Sequence, residues 1–458
     1  MSFTSGIFLI GLLPWFILLY FLSNKLGFAR YVWILLANTL FYIWGGAGAF
    51  AFVLGFSIMV WIFCLLARHV KNPFLFGLCC LITIMPLLLV KYSTFVIRNI
   101  NSALHYDIAM PDLLMPIGIS FFTFEAIACM ADIYNGKYKE SFSPLDIYLY
   151  LTFFVTVTSG PIFRFGDFKS GLRSEISPAQ YGPAIERIII GLSKKLLIAD
   201  KIALLADHYF GGVADGKSFS IPGLWIGSIA YTLQLYFDFS GYSDIAIGIG
   251  KLLGFSIPEN FNSPYLASSI QDFWKRWHIS LSRWFRDYIY IPLGGNRCAV
   301  WRHILNMFVV WLLTGIWHGA DWAFILWGMG YFLLLIAEKY VPFMKYWDGH
   351  WYGHLYALFF INLLWVPFRA ANLRVAASYI HGMFGGGDGW ALESVGISFL
   401  PFLLFTMLLC LPWYKLGEKL KDRLVFQILK GIVLVGLFVL AICSVINATY
   451  SPYIYGNF

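Results

Sequence analysis

Long apolar runs recur along the whole sequence, and they limit what this chain can fold into. A run of about 20 apolar residues is long enough to cross a bilayer as a helix. The 458 residues are 60% hydrophobic and only 12% charged, whereas a soluble domain has roughly 25% charged residues. The runs cover about residues 6–23, 31–47, 49–67, 74–95, 113–131, 146–162, 221–239, 303–317, 321–340, 352–368, 396–412 and 427–447. We predict an all-α polytopic membrane protein with about eleven transmembrane helices and a few shorter tilted or interfacial helices.

The polar connections between the runs are short. The longest lie around residues 99–112, 166–181 and 385–393, and none could bury a core of its own. Residues 1–458 are therefore expected to form a single integral-membrane domain. The first apolar run follows no basic leader and precedes no small-residue cleavage pattern, so we expect it to be retained as a helix.

The distribution of basic residues argues against nucleic acid as a partner. The net charge is +8 and the sequence pI about 9.0, but no basic block stands clear of the apolar runs. In a membrane protein, excess Lys and Arg set loop orientation and meet anionic lipid headgroups. The seven cysteines form neither a CxxC pair nor a Cys/His cluster, so we predict neither a metal nor a disulfide.

Residues 237–296 are polar, aromatic and rich in turn residues, although strong apolar runs lie on both sides. Irregular backbone at membrane depth is tolerated only where protein buries it or where it lines an aqueous cavity. The segment therefore predicts a central funnel, with helices broken at Gly241 and Pro258 and polar side chains facing inward.

His278 lies within a predicted amphipathic helix over 273–288, which has aromatic residues on one face and charged residues on the opposite face. Such a helix lies at the interface or caps a cavity. The imidazole has two interpretations: it bonds a backbone carbonyl and fixes the helix, or it takes part directly in substrate binding or proton transfer.

His318 stands at the junction of two apolar runs. A neutral imidazole is well matched to taking a hydroxyl proton near pH 7. Gly315 and Gly319 flank it and would let a substrate approach closely. A purely structural histidine is the alternative, but the polar and aromatic residues upstream favour a functional one.

Four carboxylates lie in apolar surroundings, where they must be paired, hydrogen-bonded or protonated. They are Asp238, Asp244, Glu125 and Asp132. Each is interpreted either as part of a buried structural ion pair or as a functional group. For the first two, a functional role would make them partners of Arg276, Arg286 or a histidine.

Several consecutive stretches resemble the membrane-bound O-acyltransferase family, in particular its bacterial branch that O-acetylates alginate and peptidoglycan. They are PIGISFFTFEAIACMADIYNG (116–136), SGPIFRFGDF (159–168), GLSKKLLIAD (191–200), YFDFSGYSDIAIGIGKLLGF (236–255), PENFNSPY (258–265), FWKRWHISLSRWFRDYIYIPLGGN (273–296), LLTGIWHGADWAFILWG (312–328), WVPFRA (365–370) and SPYIYGNF (451–458).

The resemblance implies tilted helices around a funnel, in the bacterial cytoplasmic (inner) membrane. It implies that His318 is the near-invariant family histidine and that His278 fills the second, more variable position. It also implies acetyl-CoA as the cytoplasmic donor, with no metal or prosthetic group. The acceptor would be a cell-surface or exported polysaccharide, reached directly or through a separate extracytoplasmic O-acetyltransferase.

On this basis His318 and His278 are the expected catalytic residues, His318 being the general base. The residues expected to bind substrate are Trp317, Asn260, Asn262, Asp244, Lys275 and Arg276. Lys194, Lys195, Lys275 or Arg276 could meet the CoA phosphates as positive charges, and His278, Asn260 or Asn262 could hold the carbonyl or orient the acceptor.

Two alternatives stay open at this point. The first is D-alanyl transfer from a carrier protein to teichoic acid, which would use the same histidine with a different donor. The second is a transporter of an acyl group or polymer that performs no catalysis, for which internal repeats would be expected. No repeat is apparent in the sequence.

Overall fold

The computed structural model describes residues 11, 13–23, 29–111, 113, 115–174 and 177–447. These residues form helices and connecting turns, with no β-strand among them. The tail motif at 451–458 and the first residues of the run at 6–23 lie outside this part of the chain.

The described residues contain nineteen α-helices. They are α1 (Leu13–Ser23), α2 (Ala29–Trp44), α3 (Ala47–His69), α4 (Pro73–Leu104), α5 (Ile119–Tyr134), α6 (Pro144–Leu151), α7 (Phe165–Arg173), α8 (Tyr181–Ser193), α9 (Asp200–Ala214), α10 (Ile221–Leu252), α11 (Ile270–Arg276), α12 (Ile279–Phe285), α13 (Val300–His318), α14 (Trp322–Tyr340), α15 (Trp351–Arg369), α16 (Leu373–His381), α17 (Ser394–Leu409), α18 (Trp413–Leu420) and α19 (Leu424–Asn447).

Five of the described helices are long and apolar enough to cross a membrane: α3, α4, α13, α14 and α19. The pair α17 and α18 would supply a sixth if its two helices, bent by 57°, form one span. The prediction of an all-helical, multi-pass membrane protein is therefore confirmed, but the count of about eleven is not. Some apolar runs fold into shorter helices: α5 has 16 residues and α6 only eight.

The chain divides into two compact units, with boundaries that fall within α8 and α10. The described residues of the first lie before Ile189 and over Ile245–Pro258. Its interior contains a cluster of aromatic rings. Phe168 stacks on Phe255 at 5.4 Å, and Phe153 packs on Phe255 at 4.7 Å. The single membrane domain inferred from the sequence stays a prediction.

Two of the candidate carboxylates, Glu125 and Asp132, lie on α5 in this first unit. Glu125 is buried, and its Oε1 accepts a hydrogen bond from the Phe163 backbone N–H at 3.4 Å. Asp132 lies 3.5 Å from the Lys137 ammonium. Each of the two carboxylates therefore has a contact within the first unit.

In the second unit, which comprises Ile189–Asp244 and the described residues from Glu259 onward, glycines set how closely helices approach each other. A Cβ atom on Gly315 would lie 2.6 Å from the Phe324 carbonyl oxygen, and one on Gly328 would lie 3.2 Å from the Gly315 Cα. Gly319 faces the Phe324 ring in the same way. The interpretation that Gly315 and Gly319 leave room for substrate is therefore wrong, because α14 fills that space.

The predicted helix break at Gly241 is also wrong. The helix α10 continues from Ile221 to Leu252 without interruption. A Cβ atom on Gly241 would lie 2.8 Å from the Gly191 carbonyl oxygen, so the glycine permits close packing against the α8 backbone. The second expected break is correct in place, because Pro258 lies in the non-helical segment after α10.

Candidate active site

The expected amphipathic helix over 273–288 is interrupted at His278. Helix α11 ends at Arg276, α12 begins at Ile279, and His278 has φ 43° and ψ 54°, in the left-handed region. Non-glycine residues are uncommon there and need support from their surroundings. The imidazole at this interruption is fully buried.

Asn260 supplies that support. Its Oδ1 accepts hydrogen bonds from the Ser280 backbone N–H at 3.1 Å and the Ser280 hydroxyl at 2.9 Å, and lies 3.2 Å from His278 Nδ1. The backbone adds two bonds: Asn262 N–H donates to the Arg276 carbonyl, and Ile279 N–H donates to the Asn260 carbonyl. The helix is interrupted because the Arg276 carbonyl and the Ile279 N–H bond to the segment around Asn260 instead of to groups of the same helix.

These contacts determine the tautomer of His278. Asn260 Oδ1 must be an acceptor because a backbone N–H donates to it, so His278 Nδ1 carries the proton that it shares with this oxygen. The other nitrogen, Nε2, then holds a lone pair. Complete burial lowers the pKa of His278 to about 3, because the cation would lose its hydration. The ring is therefore neutral near pH 7.

His318 is the last residue of α13 and is 2% exposed. Three aromatic rings surround it: Trp317 and Trp327, each at 4.8 Å between centroids, and Phe368 at 5.1 Å. A position at a helix C-terminus, where carbonyl dipoles converge, stabilises the positive charge that an imidazole gains when it takes a proton. This arrangement suits a base.

Trp317 brings the two histidines into one neighbourhood. Its indole lies 6.2 Å from the His278 ring and 4.8 Å from the His318 ring, measured between centroids. Phe239 packs edge-on against His278 at 4.6 Å. The structure therefore places His278 and His318 next to the Trp317 indole, and Asn260 next to His278; all four residues were predicted from the sequence.

The buried aspartates of α10 pair with lysines. Lys195 Nζ lies 2.6 Å from Asp238 and 2.9 Å from Asp200, and Lys194 Nζ lies 2.7 Å from Asp244. These distances match the structural ion-pair interpretation. Lys194, Lys195 and Asp244 were expected to contact the substrate, but here they pair with other residues of the protein.

A cavity of about 240 Å³ lies between α11, α12 and α13. Lys275 and Arg286 line it together with Trp274, Trp311 and Thr314. Thr314 is one helical turn before His318. A site with cationic side chains and indole walls fits a ligand that joins phosphates to an apolar arm.

Two other candidates lie differently. The Arg276 side chain pairs with Asp272 at 2.9 Å, and Asn262 is exposed and contributes its backbone rather than its side chain. Neither lines the cavity described above.

Sequence reasoning missed four residues of the site: Ser243, Ser280, Trp327 and Phe368. The Asn260 amide donates to the Ser243 hydroxyl at 3.3 Å, whereas Trp327 and Phe368 pack against His318. With 19% aromatic residues, no single ring stands out in the sequence. Ser243 and Ser280 lie in stretches that resemble the family, but their common partner, Asn260, is 17 and 20 residues away in the chain.

A comparison with known proteins identifies relatives of this chain. The model of the membrane-bound O-acyltransferase family matches residues 137–366. A probable alginate O-acetylase of Pseudomonas syringae pv. tomato is 35% identical over 86% of this chain and 77% of its own length. A peptidoglycan O-acetyltransferase of Helicobacter pylori is 34% identical over 82% and 77%, respectively. A teichoic acid D-alanyltransferase of Bacillus subtilis is 31% identical over 50% and 60%.

Proposed function

Since this chain belongs to the membrane-bound O-acyltransferase family and is a multi-pass membrane acyltransferase, we propose that its acyl donor is cytoplasmic acetyl-CoA. The acetyl group crosses a bacterial inner membrane for O-acetylation of an exported or cell-surface polysaccharide. A separate extracytoplasmic O-acetyltransferase is the proposed partner that delivers it. The proposal is supported by the pair of imidazoles around Trp317 and by a cavity lined by Lys275 and Arg286, which reaches Thr314, one helical turn before His318.

The cavity supplies the donor site in this proposal. Lys275 and Arg286 meet the CoA phosphates, and the pantetheine arm extends along Trp274 and Trp311 toward Thr314. Lys275 is the one expected phosphate-binding residue that lines this cavity. The protein interior around His318 excludes bulk water, which limits hydrolysis of the thioester.

His318 then acts as general base. It removes the proton from the acceptor hydroxyl while the hydroxyl oxygen bonds to the thioester carbonyl carbon. As the carbon–sulfur bond breaks, the imidazolium returns its proton to the thiolate, which leaves an ester and free CoA. No acetyl-enzyme is required, because no serine or cysteine stands out as an activated nucleophile.

His278 orients the acceptor in this scheme. Its Nδ1 proton is shared with Asn260, so Nε2 can accept a hydrogen bond but cannot donate one to the thioester carbonyl. The acceptor hydroxyl is the partner that fits such a lone pair. Asn260 is a positioning residue that acts through His278.

The direct test uses radiolabelled acetyl-CoA and membranes that contain the partner transferase and the polysaccharide. We expect His318→Ala to lower acetyl transfer by roughly 10²–10⁴-fold, the usual contribution of a general base. His350→Ala removes an exposed histidine and serves as the matched control. Wild-type transfer by the His318 variant, with normal membrane insertion, would remove the proposed base.

D-alanyl transfer from a carrier protein is the second candidate, because the Bacillus subtilis relative carries that name. The same assay separates the two donors. Acetyl transfer from free acetyl-CoA supports the first function, whereas transfer only from an acylated carrier domain supports the second. A transporter without catalysis is set aside, because the chain belongs to an acyltransferase family.

A further inference from the structure

A second cavity, of about 390 Å³, lies in the second unit away from the imidazoles described above. Residues of α10, α15 and the end of α17 line it, together with Tyr265 and Leu266, and we call it the α10–α15–α17 pocket. Its apolar walls include Trp225, Leu233, Leu358, Phe359, Met407 and Leu411. Leu358, Phe359 and Leu411 are also exposed, so the pocket opens toward the outer surface of these helices.

The polar side chains that line this pocket are hydrogen-bonded to other groups of the protein. The Thr232 hydroxyl donates to Asn362 Oδ1 at 2.7 Å, and the Asn362 amide donates to the Ser228 hydroxyl at 2.9 Å. The Tyr265 hydroxyl donates to the Thr232 carbonyl at 2.6 Å. The pocket therefore offers apolar contact rather than unused hydrogen-bond donors, which matches a hydrocarbon ligand.

The helix α18 leaves the end of this pocket at a fixed angle. Its axis is bent by 57° from α17, and the Trp413 indole N–H donates back to the Leu408 carbonyl at 2.8 Å. No residue of α18 is buried, and Trp413 and Tyr414 are each more than half exposed. An exposed short helix with aromatic and charged faces is typical of the lipid–water interface.

The segment from α18 to the start of α19 is basic. Residues 415–423 carry four Lys or Arg side chains against two carboxylates, and Lys415 and Lys419 are exposed. Clusters of cations next to a membrane span attract anionic lipid headgroups. The charge of this surface therefore complements the phosphate end of a lipid.

We propose that the α10–α15–α17 pocket and the cationic face of α18 together bind one anionic phospholipid. An acyl chain occupies the pocket, and the phosphate meets Lys415 and Lys419. Cys410, which lines the pocket, is five residues from Lys415, so the two Cα atoms are at most about 18 Å apart. That separation is compatible with one lipid leaflet, whose hydrocarbon is about 15 Å thick.

Native mass spectrometry of the full-length protein tests the headgroup contact. The detergent-solubilised protein is offered equal amounts of phosphatidylglycerol and phosphatidylcholine. We expect the wild type to retain one phosphatidylglycerol, and Lys415→Gln/Lys419→Gln to weaken that retention about 30-fold, from the usual contribution of two cations near an anionic lipid surface. Lys139→Gln/Lys201→Gln removes two exposed lysines elsewhere and should retain the lipid as the wild type does.

Equal retention of both lipids by the wild type would overturn the proposal, as would unchanged phosphatidylglycerol retention in Lys415→Gln/Lys419→Gln. These surface substitutions remove no buried contact, so their result does not depend on a change in folding.

A pocket-filling substitution tests the acyl-chain contact. Cys410→Phe places a ring in the pocket and should abolish crosslinking of phosphatidylglycerol with a photoactivatable acyl chain to peptides around Met407–Leu411. Cys443→Phe adds the same ring at an exposed position of α19 and should leave crosslinking unchanged. Crosslinks in the wild type that map elsewhere, or a co-purified protein that displaces the lipid, would overturn the assignment.

Discussion

Among single residues, Asn260 makes the most hydrogen bonds described within the candidate site, most of them through its side chain. One buried oxygen accepts from the backbone and hydroxyl of Ser280 and fixes the tautomer of His278. The amide of the same side chain reaches Ser243. Loss of this side chain would leave several buried polar groups without their partner.

We expect Asn260→Ala to destabilise the protein by about 1–3 kcal/mol, the usual cost of a buried polar group left unsatisfied. Acyl transfer should fall as well, because the His278 ring loses the partner that orients it. Thermal unfolding in detergent and acetyl transfer measure the two effects. Asn262→Ala is the matched control, since that side chain is exposed, and equal effects of the two substitutions would contradict this role.

The buried His278 also makes stability depend on pH. Its pKa is about 3 in the folded protein, below the value of about 6.5 expected for an unfolded chain. The contribution of the neutral ring is therefore complete above pH 6.5 and is lost as the pH falls toward 3. Between pH 7.5 and 5, the unfolding temperature of the wild type should fall further than that of His278→Asn. Identical slopes would show that the ring titrates normally.

Sequence reasoning identified the individual chemical groups of the site better than their contacts. His318 could be singled out because an imidazole is rare between two apolar runs, and His278 and Asn260 because they lie in the polar segment over 237–296. Trp327 and Phe368 could not, because an aromatic residue in this chain is ordinary until its neighbours are known. The lysine partners of Asp238 and Asp244 were likewise hidden, as they come from the end of a different helix.

At the scale of helices, periodicity predicted the apolar segments but not their interruptions. The pattern over 273–288 is that of one helix, yet bonds from Asn260 and Asn262 divide it. Conversely, Gly241 was predicted to break a helix, but α10 continues through it, and the glycine packs closely against the α8 backbone. Local sequence does not record either of these long-range contacts.

The crossing of α13 and α14 provides a test at this scale. Gly315→Ala would place a methyl group 2.6 Å from a backbone carbonyl, so the helices must separate. We expect a lower unfolding temperature and at least tenfold slower acyl transfer, because a displacement of about 1 Å near a reacting group is costly.

Gly436→Ala is the matched control for this substitution. It adds the same methyl group to the apolar helix α19, where nothing lies within 4 Å. Wild-type transfer by Gly315→Ala would show that the crossing does not position His318.

At the scale of the whole molecule, composition and apolar runs predicted the class correctly: an all-helical membrane protein. The number of spans and the central funnel remain predictions. The length and hydropathy of an apolar run do not show where its helix ends. The run over 146–162 is long enough for a span, yet α6 ends after eight residues.

We expect acyl transfer to need no metal ion. Acid–base chemistry at His318 requires only proton transfer. EDTA or phenanthroline should leave the transfer rate unchanged. A rate lost with chelator and restored by a divalent cation would contradict this mechanism.

The two backbone bonds and the Asn260 brace that divide α11 from α12 have a consequence for protein engineering. The stretch over 273–296 cannot be transferred alone with its geometry intact, because Asn260 and Asn262, in a separate part of the chain, set the conformation at His278. Grafting that stretch alone between family members would transfer the imidazole without its support. A working chimaera should also carry the segment over 258–265.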